Sequence, residues 1–302
     1  MSKAILFSEF GGPEVLRLAD VDEPKAGPGQ VRIKVRAASV NPIDWKITHG
    51  WMEAMFQTKF PSIPGSDVAG VVDQVGDGVA DVSVGDEVFG YAVNGAYAEY
   101  ALLEIFAKKP ESMPWEEAAS LPGAGETAYR VLKELNITSG DTVLIHAAAG
   151  GVGSFAVQIA RNLGATVIGT ASEKNHEYLR SLGAIPVTYG EGLVDRVRKV
   201  TPQGVDAVFD ASGHGALPAS IELRGGTERI ITIADMGAEK YGVKFSYSGE
   251  RSNKLMIELL KLYTAGKLQI TVGQTFHLTE AAKAYEVSEA GHLRGKLVLL
   301  ID

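Results

Sequence analysis

The chain has 302 residues, 45 % hydrophobic and 22 % charged, the balance of a globular protein with a buried core. Its formal charge of −8 at pH 7 argues against a nucleic-acid or anionic-membrane partner, since both require basic surface. It contains no cysteine, which excludes disulfides, thiolate catalysis, iron–sulfur ligation and any Cys-based zinc site.

Taken in order, the first hundred or so residues read as β-rich. Residues 3–7 are a strand-like run without a signal-peptide pattern, and no apolar run is long enough to cross a bilayer, so a cytoplasmic protein is expected. Residues 31–36 alternate apolar and polar, the mark of a half-buried antiparallel strand. Further strands are expected at 68–75, 87–91 and 96–103, punctuated by Gly76, Gly78 and Gly85, which together suggest a small barrel. From Pro114 the texture turns helical and leads to the chain's most informative stretch.

Residues 142–147 are a short β-branched and aliphatic run, fit for a buried strand. Gly150 and Gly153 follow, and Val152, Phe155, Ala156, Ile159, Ala160 and Leu163 then recur at steps of three and four, one face of an amphipathic helix that Gly164 stops. A second strand occupies 165–170. Strand, glycine turn, helix and strand imply parallel pairing through a right-handed crossover. The turn fits the dinucleotide fingerprint G-x-G-x-x-G, with Ala148 in the first place and Gly150 and Gly153 in the others. A pyrophosphate would sit on the helix N-terminus, against the amides around Gly150, Gly151 and Val152.

Beyond it, strands and helices alternate. Ser172 is placed to cap a helix over 173–182, and a strand at 185–188 precedes a helix at 193–200. Strands at 205–210 and 229–234 complete an α/β, doubly wound parallel sheet of about six strands. A helix at 255–264, another at 279–290 and a last strand at 296–301 end the chain. The β-rich module lacks a partner for its edges unless this tail returns to it. The expected domains are therefore 1–119 with 272–302, and 120–271.

Several stretches in order resemble the medium-chain dehydrogenase/reductase superfamily, and within it the zinc-free quinone oxidoreductase (zeta-crystallin-like) and enone-oxidoreductase branch. They are residues 39–44 (SVNPID), 63–70 (IPGSDVAG), 84–90 (VGDEVFG), 95–100 (GAYAEY), 127–129 (TAY), the glycine turn and 294–299 (RGKLVL). The resemblance implies a GroES-like catalytic β-barrel domain joined to an NADPH-binding Rossmann domain, and a homodimer. Where zinc-dependent members carry catalytic ligands, this chain has Asn41, Ser66 and Ala124, none of which supplies a thiolate or imidazole. No metal is expected, and the chemistry left is reduction of an already activated acceptor, a quinone or an α,β-unsaturated ketone.

Asn41 and Pro42 read either as a turn initiator or, as the resemblance implies, as neighbours of the nicotinamide, with Asn41 also a catalytic candidate. Lys46 is either a solvated charge or, by the resemblance, the polar donor facing the substrate. Asp44 reads equally as a first-turn charge fixing that loop. Trp51 and Phe56 are substrate-wall candidates, with core packing as the alternative. Thr127, Ala148, Ile233, Arg294 and Lys296 join the expected cofactor contacts. NADPH is favoured over NADH because the end of the second strand reads Thr170-Ala171-Ser172, with no acid for a ribose 2′-hydroxyl. Ser172 and Lys174 suit a 2′-phosphate, and Tyr189 resembles the family tyrosine bordering it. His146, within a strand, reads as a hydrogen-bonded structural histidine. Two alternatives stay open, a biosynthetic enone or enoyl reductase on the same scaffold, and a non-catalytic NADPH-binding protein of crystallin or sensor type.

Overall fold

The computed structural model describes residues 1–247, 249 and 251–302. They fall into two compact units, Met1–Gly123 with Arg251–Glu258 and Ile270–Asp302, and Ala124–Glu250 with Leu259–Gln269. This differs from the sequence-based boundaries by a few residues and by giving 251–258 to the first unit.

In the first unit, β1 (Ser2–Leu6) pairs antiparallel with β2 (Arg17–Val21). β3 (Val31–Val40) runs into α1 (Pro42–Thr48), and β4 (Asp67–Val75), β5 (Glu87–Ala92) and β6 (Tyr100–Lys108) follow. These strands pair antiparallel in succession, and β6 returns to β3, closing a barrel. β3 is longer than its alternating residues suggest because it has three partners, and bulges after Arg32 and Val35 let it bend between them. The strand expected at 96–103 starts later, at Tyr100. Residues 96–98 are apolar because they are buried against β1, with the Ile5 N–H donating to the Tyr97 carbonyl at 2.8 Å.

The helical region after Pro114 is one helix, α2 (Trp115–Glu134), with Pro122 inside it. The second unit then alternates β7 (Thr142–His146), α3 (Gly151–Asn162), β8 (Thr166–Thr170), α4 (His176–Ser181), β9 (Ile185–Val187), α5 (Leu193–Val200), β10 (Ala207–Asp210), α6 (Leu217–Arg224), β11 (Ile230–Thr232) and β12 (Lys244–Phe245). The six strands form one parallel sheet in the order β12-β11-β10-β7-β8-β9. Chain order reverses at β7, whose five residues are all buried, so the glycine turn lies at the topological switch point. The helix expected over 173–182 is instead a 3₁₀ turn (Glu173–Asn175) followed by the six-residue α4, and Ser172 makes no side-chain cap bond.

α7 (Asn253–Thr264) precedes the tail of β13 (Val272–His277), α8 (Ala281–Ala290) and β14 (Lys296–Leu300). β14 pairs antiparallel with β3, so the tail does return to the barrel, and β13 covers it in parallel. No helix among the described residues is long and apolar enough to cross a membrane.

Candidate functional site

The glycine turn is built from a strained residue and a glycine that nothing can replace. Ala147 has φ +52°, in the left-handed region that costs an L-residue about 1–2 kcal/mol. Its carbonyl accepts the Gly150 N–H at 2.9 Å and lies against α3, where a Cβ on Gly153 would stand 2.2 Å from it. At Gly150 an added Cβ would meet only the Ala147 oxygen, at 3.2 Å, so packing alone does not demand glycine there. Gly150 caps α3 with no side-chain hydrogen bond, and the first turn holds no acidic residue. The helix thus presents its N-terminal amides and dipole uncompensated, an arrangement that fits a pyrophosphate.

At the neighbouring strand end the expected contacts separate. Thr170 is buried, its carbonyl accepting the Ala148 N–H at 3.0 Å and its hydroxyl meeting His146 and the Ala147 N–H, so its side chain faces inward. Ser172 is half-buried and accepts from Asn175 at 3.4 Å, Lys174 is exposed, and Tyr189 is 47 % exposed. Ser172 and Lys174 lie just past the end of β8, and the first acid, Glu173, follows Ser172. Ile233 is half-buried just past β11, its N–H donating to the Asp210 carbonyl at 3.0 Å. Thr127 is half-buried on α2 beside Glu126, with 3.4 Å between hydroxyl and carboxylate.

In the first unit, the loop from β3 into α1 rests on a buried polar network. The Asn41 amide is used at both ends, Nδ2 donating to Asp67 at 2.9 Å and Oδ1 accepting from the Lys296 ammonium. Asp67, fully buried, also accepts from the Ser66 hydroxyl at 3.2 Å and the Gly123 N–H at 3.1 Å. Asp44 accepts the Asn41 N–H at 2.8 Å, fixing the first turn of α1, and the Tyr97 hydroxyl at 3.0 Å. Burial pushes the Asp44 carboxyl up to about 7, with the Asp67 charge adding to it and the Asn41 amide, Tyr97 and Lys296 opposing. Burial likewise pushes the Lys296 ammonium down against the charges of Asp67 and Asp44.

Lys296, an expected cofactor contact, is 4 % exposed at the head of a buried strand, and its ammonium is engaged by Asn41 within the unit. Arg294, two residues earlier, is exposed, and Pro42 is exposed at the start of α1. Asp67 and Tyr97 are the network members sequence reasoning missed. Their only signals were an acid opening an apolar strand and a tyrosine among alanines.

α1 carries Lys46 on its half-buried side, the Nζ 5.6 Å from the Trp45 ring centre. Burial lowers its pKa, and it forms no ion pair with a described residue. Trp51 follows α1, stacked on His49 at 4.6 Å and edge-on to Trp45 at 5.7 Å, with the His49 Nε2 3.0 Å from Glu289. Trp51 is 61 % and Phe56 38 % exposed, so neither is a core residue and both remain available to an apolar ligand. No group of three His, Asp or Glu side chains suited to a metal occurs among the described residues.

Residues 27–111 match the alcohol dehydrogenase GroES-like domain, and residues 182–299 match the zinc-binding dehydrogenase domain. Human quinone oxidoreductase is 31 % identical over all of this chain and 98 % of its own length. The NADPH-dependent alkenal/one oxidoreductase of Arabidopsis thaliana is 34 % identical over 98 % of this chain and 79 % of its own. The solved structure of the quinone oxidoreductase from Coxiella burnetii superposes with a TM-score of 0.89 at 36 % identity, covering 100 % of this chain and 99 % of that one. Fold, glycine turn and these relationships define an oxidoreductase of the NAD(P)-binding dehydrogenase class. Within that class the chain belongs to the medium-chain dehydrogenase/reductase superfamily, in its quinone oxidoreductase and enone reductase branch.

Proposed function

We propose that this protein is an NADPH-dependent reductase of quinones or α,β-unsaturated ketones that works by hydride transfer without a metal. The observation carrying the cofactor choice is the end of β8, where Thr170-Ala171-Ser172 has no ribose-binding carboxylate and the first acid, Glu173, comes only after it, flanked by Ser172 and Lys174. The name of the Arabidopsis relative supports the same choice. The bare N-terminus of α3 takes the pyrophosphate. NADPH, when bound, supplies the hydride.

The chain's own residues supply position and charge. Negative charge develops on the acceptor's carbonyl oxygen as its β-carbon, or a quinone ring position, takes the hydride. Asn41, Ser66 and Ala124 supply neither thiolate nor imidazole for a catalytic zinc, so that oxygen needs hydrogen-bond donors fixed beforehand, each worth about 10²–10³ in rate. Lys46 is such a donor. Asp44 and the Asn41–Asp67–Lys296 network hold the helix that carries it, and Trp51 and Phe56 offer apolar surface to a flat acceptor. Water supplies the proton that completes the reduction. A panel of quinones, linear enones and cyclic enones, each assayed with NADPH and with NADH, tests the proposal. NADPH oxidation with at least one acceptor class, unaffected by chelators, supports it, whereas tight NADPH binding with no turnover favours a nucleotide-sensing role.

A further inference from the structure

We propose that His146 is a positioning residue for cofactor binding, the middle of a one-directional hydrogen-bond relay that locks the phosphate turn from α6. The inference rests on the NADPH reading above and concerns a group that touches no ligand. Ser220 on α6 has one hydroxyl hydrogen, and it donates that to the Ala216 carbonyl at 2.7 Å. With that hydrogen on Ala216, Ser220 accepts at its 3.0 Å contact with His146 Nε2, which assigns the ring proton to Nε2. Nδ1 is then bare and accepts from the Thr170 hydroxyl at 3.3 Å. With its hydrogen spent on the ring, the Thr170 oxygen offers lone pairs to the Ala147 N–H, also at 3.3 Å.

Each group in the relay then meets its neighbour as donor to acceptor, and the far end is the left-handed residue of the turn. Ala147 gains nothing by itself from φ +52°, and the anchored N–H opposes its relaxation. Where Ala147 sits decides where its carbonyl receives the Gly150 N–H, and hence where the amides of Gly151 and Val152 point. The ring is held neutral by its surroundings. It is 2 % exposed, and burial lowers its pKa against the charge of Asp210 on the adjacent β10. Asp210 spends its oxygens on Ser212, Gly213 and Thr232, leaving the imidazole to the hydroxyls. A protonated ring would donate through Nδ1 as well, so that Thr170 would accept from both the ring and the Ala147 N–H and the relay would lose its direction.

The test uses two ligands that sample different parts of the site, NADPH and 2′-AMP, which lacks the pyrophosphate. His146→Leu is the obvious variant and carries a folding risk, so the decisive pair is Thr170→Val, which removes the hydroxyl at nearly constant volume, and Thr170→Ser, which keeps it. Isothermal titration is expected to show NADPH binding weakened about five- to tenfold in Thr170→Val, with 2′-AMP binding at parental affinity and Thr170→Ser close to parental for both. Hydrogen exchange at the Ala147 amide of the ligand-free protein should accelerate in Thr170→Val alone. Unchanged NADPH affinity in Thr170→Val, equal loss for both ligands, or equal loss in Thr170→Ser overturns the relay. A parental protein that binds neither ligand overturns the cofactor reading instead.

Discussion

Asp44→Asn probes the buried network beneath α1 through the pH dependence of stability. Asp44 is 4 % exposed, and its carboxyl rises from 3.8 to about 7 on folding. Between those values the unfolded chain has released its proton while the folded chain retains it. The unfolded state thus binds fewer protons, and stability falls as pH rises through this window. The window spans about three pH units at about 1.4 kcal/mol each, so this one group removes about 4 kcal/mol between pH 4 and pH 7.5. Asparagine has no proton to lose, so subtracting the variant's stability from the parent's isolates the effect, other acids cancelling. All three tryptophans, Trp45, Trp51 and Trp115, belong to the barrel-containing unit, so fluorescence-detected urea unfolding reports that unit selectively. The parent-minus-variant difference should decline by about 4 kcal/mol over the range. A difference constant to within about 1 kcal/mol would mean that Asp44 folds already ionised, and that Lys296 and the Asn41 amide outweigh burial.

Gly153→Ala should lower the thermal midpoint and abolish NADPH binding, because the new Cβ meets backbone at 2.2 Å and 2.8 Å, an overpacking cost of about 1–3 kcal/mol or more. Gly150→Ala, with its only contact at 3.2 Å, should melt like the parent and lose affinity only. Lys174→Ala should weaken NADPH about tenfold and leave NADH unchanged in a binding titration, while equal loss for both removes Lys174 from the phosphate site. Lys46→Met should lower kcat for an enone about 10²-fold with NADPH affinity intact, and less for a highly activated quinone. Parental rates with both acceptors would make Lys46 a bystander.

What the sequence disclosed followed periodicity and special residues. Strict 3.6-residue spacing and Gly153 located α3 and its turn, and the unpaired barrel edge required β14 to come back to β3. Where local pattern carried little, the reading drifted. The two-residue β12 and α6, which begins at Leu217 with Pro218 in its first turn, drew no expectation, and buried apolar residues at 96–98 mimicked a strand because they pack on β1. The glycine turn was legible because glycine has few reasons to sit there. The buried network was not, since its members lie as much as 255 positions apart, as Asn41 and Lys296 do, and only the fold brings them together. His146 illustrates the same limit. Its burial in a strand was readable, but the direction of its hydrogen bonds depends on Ser220, 74 residues away.

The central claim is hydride transfer from NADPH to an activated acceptor, and isotope transfer tests it most directly. The protein is incubated with a simple enone and NADPH carrying deuterium at C4, the two C4-labelled epimers in separate reactions, and the saturated ketone is analysed by mass spectrometry and NMR. One epimer should deliver deuterium to the β-carbon of the product, and the other should give unlabelled product. Product without deuterium from either epimer, or no reduction of enone or quinone at all despite tight NADPH binding, would contradict the account.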